Sequence, residues 1–173
     1  MKRIKIFVAF FVAFVALGML NTNKVQAAYG RGKIVTTDKS LRGTWYSKDY
    51  GHGLKKIKIT AHTITLPYLG KNLPHGKYTL YKQSSSIFKK GYKYQMKASK
   101  YAEKHHWMST WTYKREGKKY LGIDPFWLDH GDNDFGGDLR VTTVKKHGKS
   151  VKQLTLQNPN ARYRYYRSIS IAK

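Results

Sequence analysis

Lys55-Lys-Ile-Lys-Ile-Thr60 and, after one residue, His62-Thr-Ile-Thr-Leu66 decide the fold. Ile57 and Ile59 alternate with Lys56, Lys58 and Thr60; His62, Ile64 and Leu66 alternate with Thr63 and Thr65 and stop at Pro67. A two-residue period places one set of side chains on a buried face and the other in water, as in a half-buried β-strand. The same period extends outward in both directions. Trp45 opposes Thr44 and Tyr46, Tyr78 and Leu80 follow the Pro74-His-Gly76 turn, and Trp107, Ser109, Trp111 and Tyr113 oppose Met108, Thr110 and Thr112. Tyr92, Tyr94, Met96 and Ala98 read the same way, with Lys93, Gln95 and Lys97 outward, leaving only Ser99 to His106 for a short helix. Arg115-Glu-Gly-Lys118 and His147-Gly-Lys149 are turns, flanked by strands over Tyr120 to Ile123, Leu139 to Val144 and Val151 to Leu156; Tyr163 to Ile171 reads as the last strand. Nine or ten short strands with one polar face each predict an all-β, antiparallel domain, closed into a barrel to hide its edges.

The chain ahead of these strands has a different character. Lys2, Arg3 and Lys5 precede an uncharged apolar run of 15 residues, Ile6 to Leu20, then a polar neck and Val25-Gln-Ala27. The run is shorter than the ~20 residues a spanning helix needs. With small residues at the cleavage positions, it predicts an export signal over residues 1–27. Residues 28–40 read as a flexible tail and 41–173 as the single barrel domain. No sorting motif closes the chain, so attachment to a surface is expected to be non-covalent and the protein a secreted monomer. Beyond the signal, 23 Ile, Leu and Val are joined by 21 Trp, Tyr and Phe, so aromatics supply nearly half of the candidate core.

At Leu41-Arg-Gly-Thr-Trp-Tyr46 the first strand opens with Gly-x-Trp, carried by Gly43 and Trp45. This resembles the lipocalin and wider calycin signature. The resemblance implies that Trp45 plugs one barrel end and that a last-strand cation packs across it. Arg167 is the candidate, because alternation puts it on the face of Tyr163 and Tyr165. The chain from residue 41 to 171 is also similar to small secreted proteins of lactobacilli and other Gram-positive bacteria, with the shared stretches Leu41 to Ser47, the Lys-Ile-Lys-Ile-Thr and His-Thr-Ile-Thr strands, and Ala161 to Arg167. That similarity implies no activity.

Composition excludes several chemistries. Without cysteine there is no disulfide framework, thiolate zinc site or cysteine nucleophile. His105 and His106 are adjacent, so on a strand they point apart. His52, His75, His130 and His147 sit beside Gly or Pro in turns, and His62 lies on an apolar face as a core histidine. HExxH, Gly-x-Ser-x-Gly and phosphate-loop motifs are absent from the sequence. Five of nine acids fall within Asp124 to Asp138, and Asp132-Asn-Asp134-Phe-Gly-Gly-Asp138 loosely resembles a calcium loop. It fails the EF-hand pattern, with Gly136 at the fifth position and no closing Glu. Asp124 and Asp129, beside Phe126 and Trp127, are a candidate carboxylate pair for glycoside hydrolysis, the main enzyme alternative. The expectation is therefore a non-enzyme with no metal and no cofactor.

Charge is the dominant signal: 34 Lys and Arg against 9 Asp and Glu give +25, and four of the cations belong to the export signal, leaving +21. Solubility does not require so much. Lys55, Lys56, Lys58, Lys89, Lys90, Lys145 and Lys146 are the candidate polyanion contacts. Export argues against nucleic acid as the physiological partner and for anionic envelope polymers such as teichoic acid, or an anionic lipid surface. A barrel interior that takes a small apolar ligand, lined by Trp107, Trp111 and Tyr94, is the alternative. A cationic membrane-active protein is a third.

Overall fold

The structure, a computed structural model, describes residues 28–48, 53–68, 75–125, 136–158 and 161–172. It is all-β, with ten strands in one sheet: β1 (Arg31–Ile34), β2 (Gly43–Ser47), β3 (Lys55–Ile59), β4 (Thr63–Leu66), β5 (Gly76–Gln83), β6 (Trp107–Arg115), β7 (Lys118–Pro125), β8 (Gly137–Lys146), β9 (Lys149–Gln157) and β10 (Arg162–Tyr166). Strands β2 to β10 form a hydrogen-bonded, barrel-like ring: β10 pairs with β2, and β5 pairs with β6. The β6–β7 and β8–β9 turns have positive φ at both central residues, Glu116 and Gly117, then His147 and Gly148. That is the backbone of the hairpin turn that matches strand twist.

The ring departs from the antiparallel expectation at one seam. β5 and β6 run parallel, with Thr79 opposite Trp107 and Tyr81 opposite Ser109. Parallel neighbours need a long crossover, usually helical. Here it carries a 3-10 turn, Ser85–Lys89, and helix α1, Tyr92–Lys104. The strand expected over Tyr92 to Ala98 is therefore the first half of this helix. Tyr94, Ala98, Tyr101 and Ala102 are spaced for one helical face, and the segment has no β-branched residue to favour a strand.

The segment 28–40, expected to be a loose tail, is built into the fold. β1 lies along the upper half of β5, beyond the reach of β4, with Ile34 opposite Tyr81. The Arg31 guanidinium sits 4.3 Å from the Trp107 ring centroid and 4.9 Å from that of Tyr81. Tyr29 stacks on Tyr101 at 4.2 Å. This outer aromatic cluster fixes α1 over the parallel seam.

Inside the ring lies the main core, with Trp45, Ile57, Ile64, Leu80, Met108, Ile123, Leu139 and Leu154 fully buried. From β1 the chain crosses one end of the ring. The Thr37 N–H and hydroxyl donate to the carbonyls of Ala61 and Thr60 at 2.8 and 2.7 Å. The buried Trp45 indole N–H donates to the Leu41 carbonyl at 2.8 Å. The Arg167 guanidinium covers the indole, 3.6 Å from its centroid, and donates to the Ser40 carbonyl. Burial pulls its pKa down from the usual value, yet a guanidinium stays charged in water. Gly43 has φ +114, and a methyl there would collide with Arg167, so the glycine of Gly-x-Trp makes room for the cation. The last strand ends at Tyr166 rather than Ile171, and α2, Ile169–Ala172, follows.

Replacing Arg167 by Ala uncovers Trp45 and is expected to cost about 1–2 kcal/mol, whereas Lys93→Ala on the exposed side of α1 costs little. Urea midpoints of the two variants measure the difference. Asp38 supplies a pH-dependent part of the same closure. The Ser40 N–H, then Lys119 and the Ser40 hydroxyl, hold its carboxyl down at about 2. A depressed carboxyl stabilises above its unfolded value and loses that contribution as pH falls through the folded one. Asp38→Asn is thus expected to be less stable than wild type at pH 7 by about 0.5–1 kcal/mol, because solvent screens the exposed pair. The gap should close on titration toward pH 2.

Candidate polyanion-binding face

Alternation along β6 to β10 turns one set of side chains into the core and the other set outward, and register then lines the outward set into rows. One row runs Trp111, Gly122, Asp138, Gln157, Arg162 across five strands. In the next, Tyr113 pairs with Tyr120, and Arg140 and Arg164 both oppose Thr155 from either side. The two arginines stand two strands apart, ~10 Å, with short Thr155 between them as a floor. Arg115 and Lys118 at the β6–β7 turn complete the wall. The resulting depression has a volume of about 490 Å³ and gathers five cations with two acids, Glu116 and Asp138.

Internal contacts hold several of these groups in place. Arg140 donates to the Tyr120 hydroxyl at 2.9 Å. The guanidinium carbons of Arg115 and Arg140 lie 5.0 Å and 5.3 Å from the Tyr120 ring centroid. Tyr113 stacks on Tyr120 with centroids 5.2 Å apart. Arg162 donates to Gln157 at 3.2 Å. The hydrogen bond and interaction with Tyr120 raise the Arg115 pKa further above its usual value. Burial, followed by the hydrogen bond to Asp138, pushes the Tyr113 phenol up to about 12. Side chains fixed before a ligand arrives lose less entropy on binding. Arginine forks suit phosphate oxygens in pairs.

None of the lysines named from sequence lines this depression. Lys55, Lys56 and Lys58 are on β3, Lys89 and Lys90 follow β5, and Lys145 and Lys146 end β8. Lys55 donates to the Tyr68 carbonyl at 3.0 Å. Lys146 donates to the Ile171 carbonyl and sits 4.4 Å from the Tyr166 ring centroid. The aromatics proposed to line the interior lie outside the ring. Tyr94 is on α1 and stacks with Tyr29 at 6.4 Å. Trp107 belongs to the outer cluster with Tyr81 and Ala102. Trp111 is 44% exposed. His62 is not a core residue: it precedes β4, is exposed, and has Nδ1 3.1 Å from the Val35 carbonyl. His105 and His106 occupy the turn between α1 and β6, beside Trp107 and Tyr78 respectively.

Of the acidic loop, Asp124 and Asp138 are described; Phe126, Trp127, Asp129, Asp132 and Asp134 lie outside the described residues, as does the export signal. Among the described residues no group of three His, Asp or Glu is placed to hold a metal, and no helix is long and apolar enough to cross a membrane. A second cavity, of about 340 Å³, is lined by Thr36, Asp38, Leu41, Leu121, Leu139 and Val141 among others and meets the depression at Lys118, Tyr120 and Arg140. No protein-family model, curated protein or solved structure matches the chain.

The Tyr113 phenol gives a spectroscopic handle on this face. It should titrate near pH 12. In Asp138→Asn it should move down toward the ordinary ~10, stopping short because burial remains. Tyrosine-labelled carbon NMR reads both; a Tyr113 that ionises near 10 in wild type contradicts the arrangement.

Proposed function

We propose that the protein is exported, non-catalytic and monomeric, and is held at the cell envelope by charge on anionic phosphate polymers such as teichoic acid. The observation that carries this reading is the outer depression, where Arg115, Lys118, Arg140, Arg162 and Arg164 face Glu116 and Asp138 over a floor of Thr and Gln side chains. On this reading the binding charge is carried by the arginines of the sheet rather than by the lysine runs. The ring is read as a lipocalin-like barrel on the strength of Gly43, Trp45 and Arg167. Its floor makes a frame, and the outer face of β6 to β10 makes the contact. Export disfavours nucleic acid, which the same charges would otherwise attract.

A second reading rests on the cavity of about 340 Å³, within the ~300–1,000 Å³ range of small-molecule sites. It would take a compact apolar ligand through Leu41, Leu121, Leu139 and Val141.

Counterion release makes phosphate binding weaken steeply with salt, while the Debye length shrinks from ~10 Å at 0.1 M to ~3 Å at 1 M. Binding to purified wall teichoic acid should be lost in molar NaCl. The double change Arg140→Gln, Arg164→Gln should weaken it about tenfold and flatten its salt dependence by about two contacts, with Lys89→Gln, Lys90→Gln changing it much less. Retention in 1 M NaCl with release by detergent contradicts the charge reading and favours the apolar cavity.

A further inference from the structure

The depression does not end at the arginines. It shares Arg115, Asp138 and Gln157 with a second hollow of about 320 Å³ that Trp111 borders. Trp111 is the far member of the row that ends at Arg162. A methyl on Gly122 would strike Cε2, Cζ2 and Nε1 of Trp111 together. The indole therefore lies over the glycine backbone, and with 44% of its surface exposed it offers a flat apolar platform. Of the five cations of the depression only Arg115 borders this second hollow; Arg140, Arg162, Arg164 and Lys118 do not. Asp138 stands between Trp111 and Arg140, and its carboxylate would repel a phosphate placed directly on the indole. An ionised carboxylate that already accepts from Tyr113 has lone pairs left for hydroxyl donors.

An exposed indole beside a carboxylate and an amide suits a pyranose. The apolar C–H face of the sugar covers the ring, and its equatorial hydroxyls reach the acceptors at the edge. The arginines suit phosphodiesters. Trp111 is two strands from Asp138 and Arg140 stands one row beyond it, so the two backbones are ~12 Å apart, a span that long side chains at either end bring within reach of one sugar and the phosphate of the unit that carries it. We infer that this face reads a glycosyl-substituted polyol-phosphate polymer, with Trp111 taking the sugar and the Arg140–Arg164 pair taking the backbone phosphate. The inference rests on the polyanion reading above and adds to it a specificity for the sugar substituent.

Two probes separate the parts: poly(glycerol phosphate) carrying hexose substituents, and the same polymer without them. Wild type should bind both and prefer the glycosylated form by about three- to tenfold, the scale of one aromatic contact. Trp111→Ala and Trp111→Gln should keep the affinity for the bare polymer and lose the preference, and Trp111→Tyr should keep most of it. Affinity for the bare polymer serves as the folding control for each variant. Equal wild-type affinity for the two polymers overturns the sugar assignment while leaving the polyanion reading intact. A preference that survives in the Ala or Gln variant also overturns it. Failure to bind either polymer removes both.

Discussion

Nine strands cannot close into a ring with every neighbour antiparallel, because direction alternates and an odd count returns to the start with the wrong sense. β2 to β10 are nine, and the one parallel contact between β5 and β6 resolves the mismatch. Much of the rest follows from that seam. A parallel pair needs a crossover, the crossover carries α1, and α1 needs an apolar surface on the outside of the ring. Trp107 and Tyr81 provide it, and Tyr101 on α1, Tyr29 and Arg31 complete it. The segment before β2 is consequently drawn onto the upper half of β5 and then across the end of the ring toward Trp45.

The two ends of that crossing segment do different things. Leu41 and Ser40 accept from Trp45 and Arg167, so the floor and the last strand are tied at one point. Asp38 ties the segment to Lys119 on β7 at 3.1 Å, on the wall whose outer face carries the arginines. The hydrogen-bonded ring backs that outer face with the packed core. Guanidinium groups braced against Tyr120 and Gln157 can then hold their spacing without a ligand.

Legibility in the sequence divided along physical lines. The Trp45–Arg167 contact was readable because a lone cation among apolar neighbours calls for an aromatic partner, although Arg167 lies one residue past the end of β10. Both tight turns were readable from Glu-Gly and His-Gly. α1 was not, since Tyr92, Tyr94, Met96 and Ala98 happen to alternate; the missing β-branched residues were the signal that could have corrected it. β1 was hidden because its pairing depends on a length of β5 edge that β4 leaves uncovered. The arginine face was hidden for a related reason. Its members come from β6 through β10, whereas the conspicuous lysines stand in contiguous runs. Yet Asp138 and Arg140 alternate with Leu139 and Val141, and Arg162 and Arg164 alternate with Tyr163 and Tyr165. An outward stripe was present in the pattern once the strands were known to be neighbours.

On the proposed function, polymer contact is localised on this outward stripe rather than spread over a uniformly basic surface. Amide hydrogen–deuterium exchange of the full protein, with and without wall teichoic acid at low salt, tests it most directly. The account predicts added protection concentrated in β8 to β10 and the β6–β7 turn, with little change at Lys55 to Lys58 or at Lys89 and Lys90. Protection distributed evenly over the lysine-bearing segments, or confined to the ring interior around Leu121 and Leu139, would contradict it.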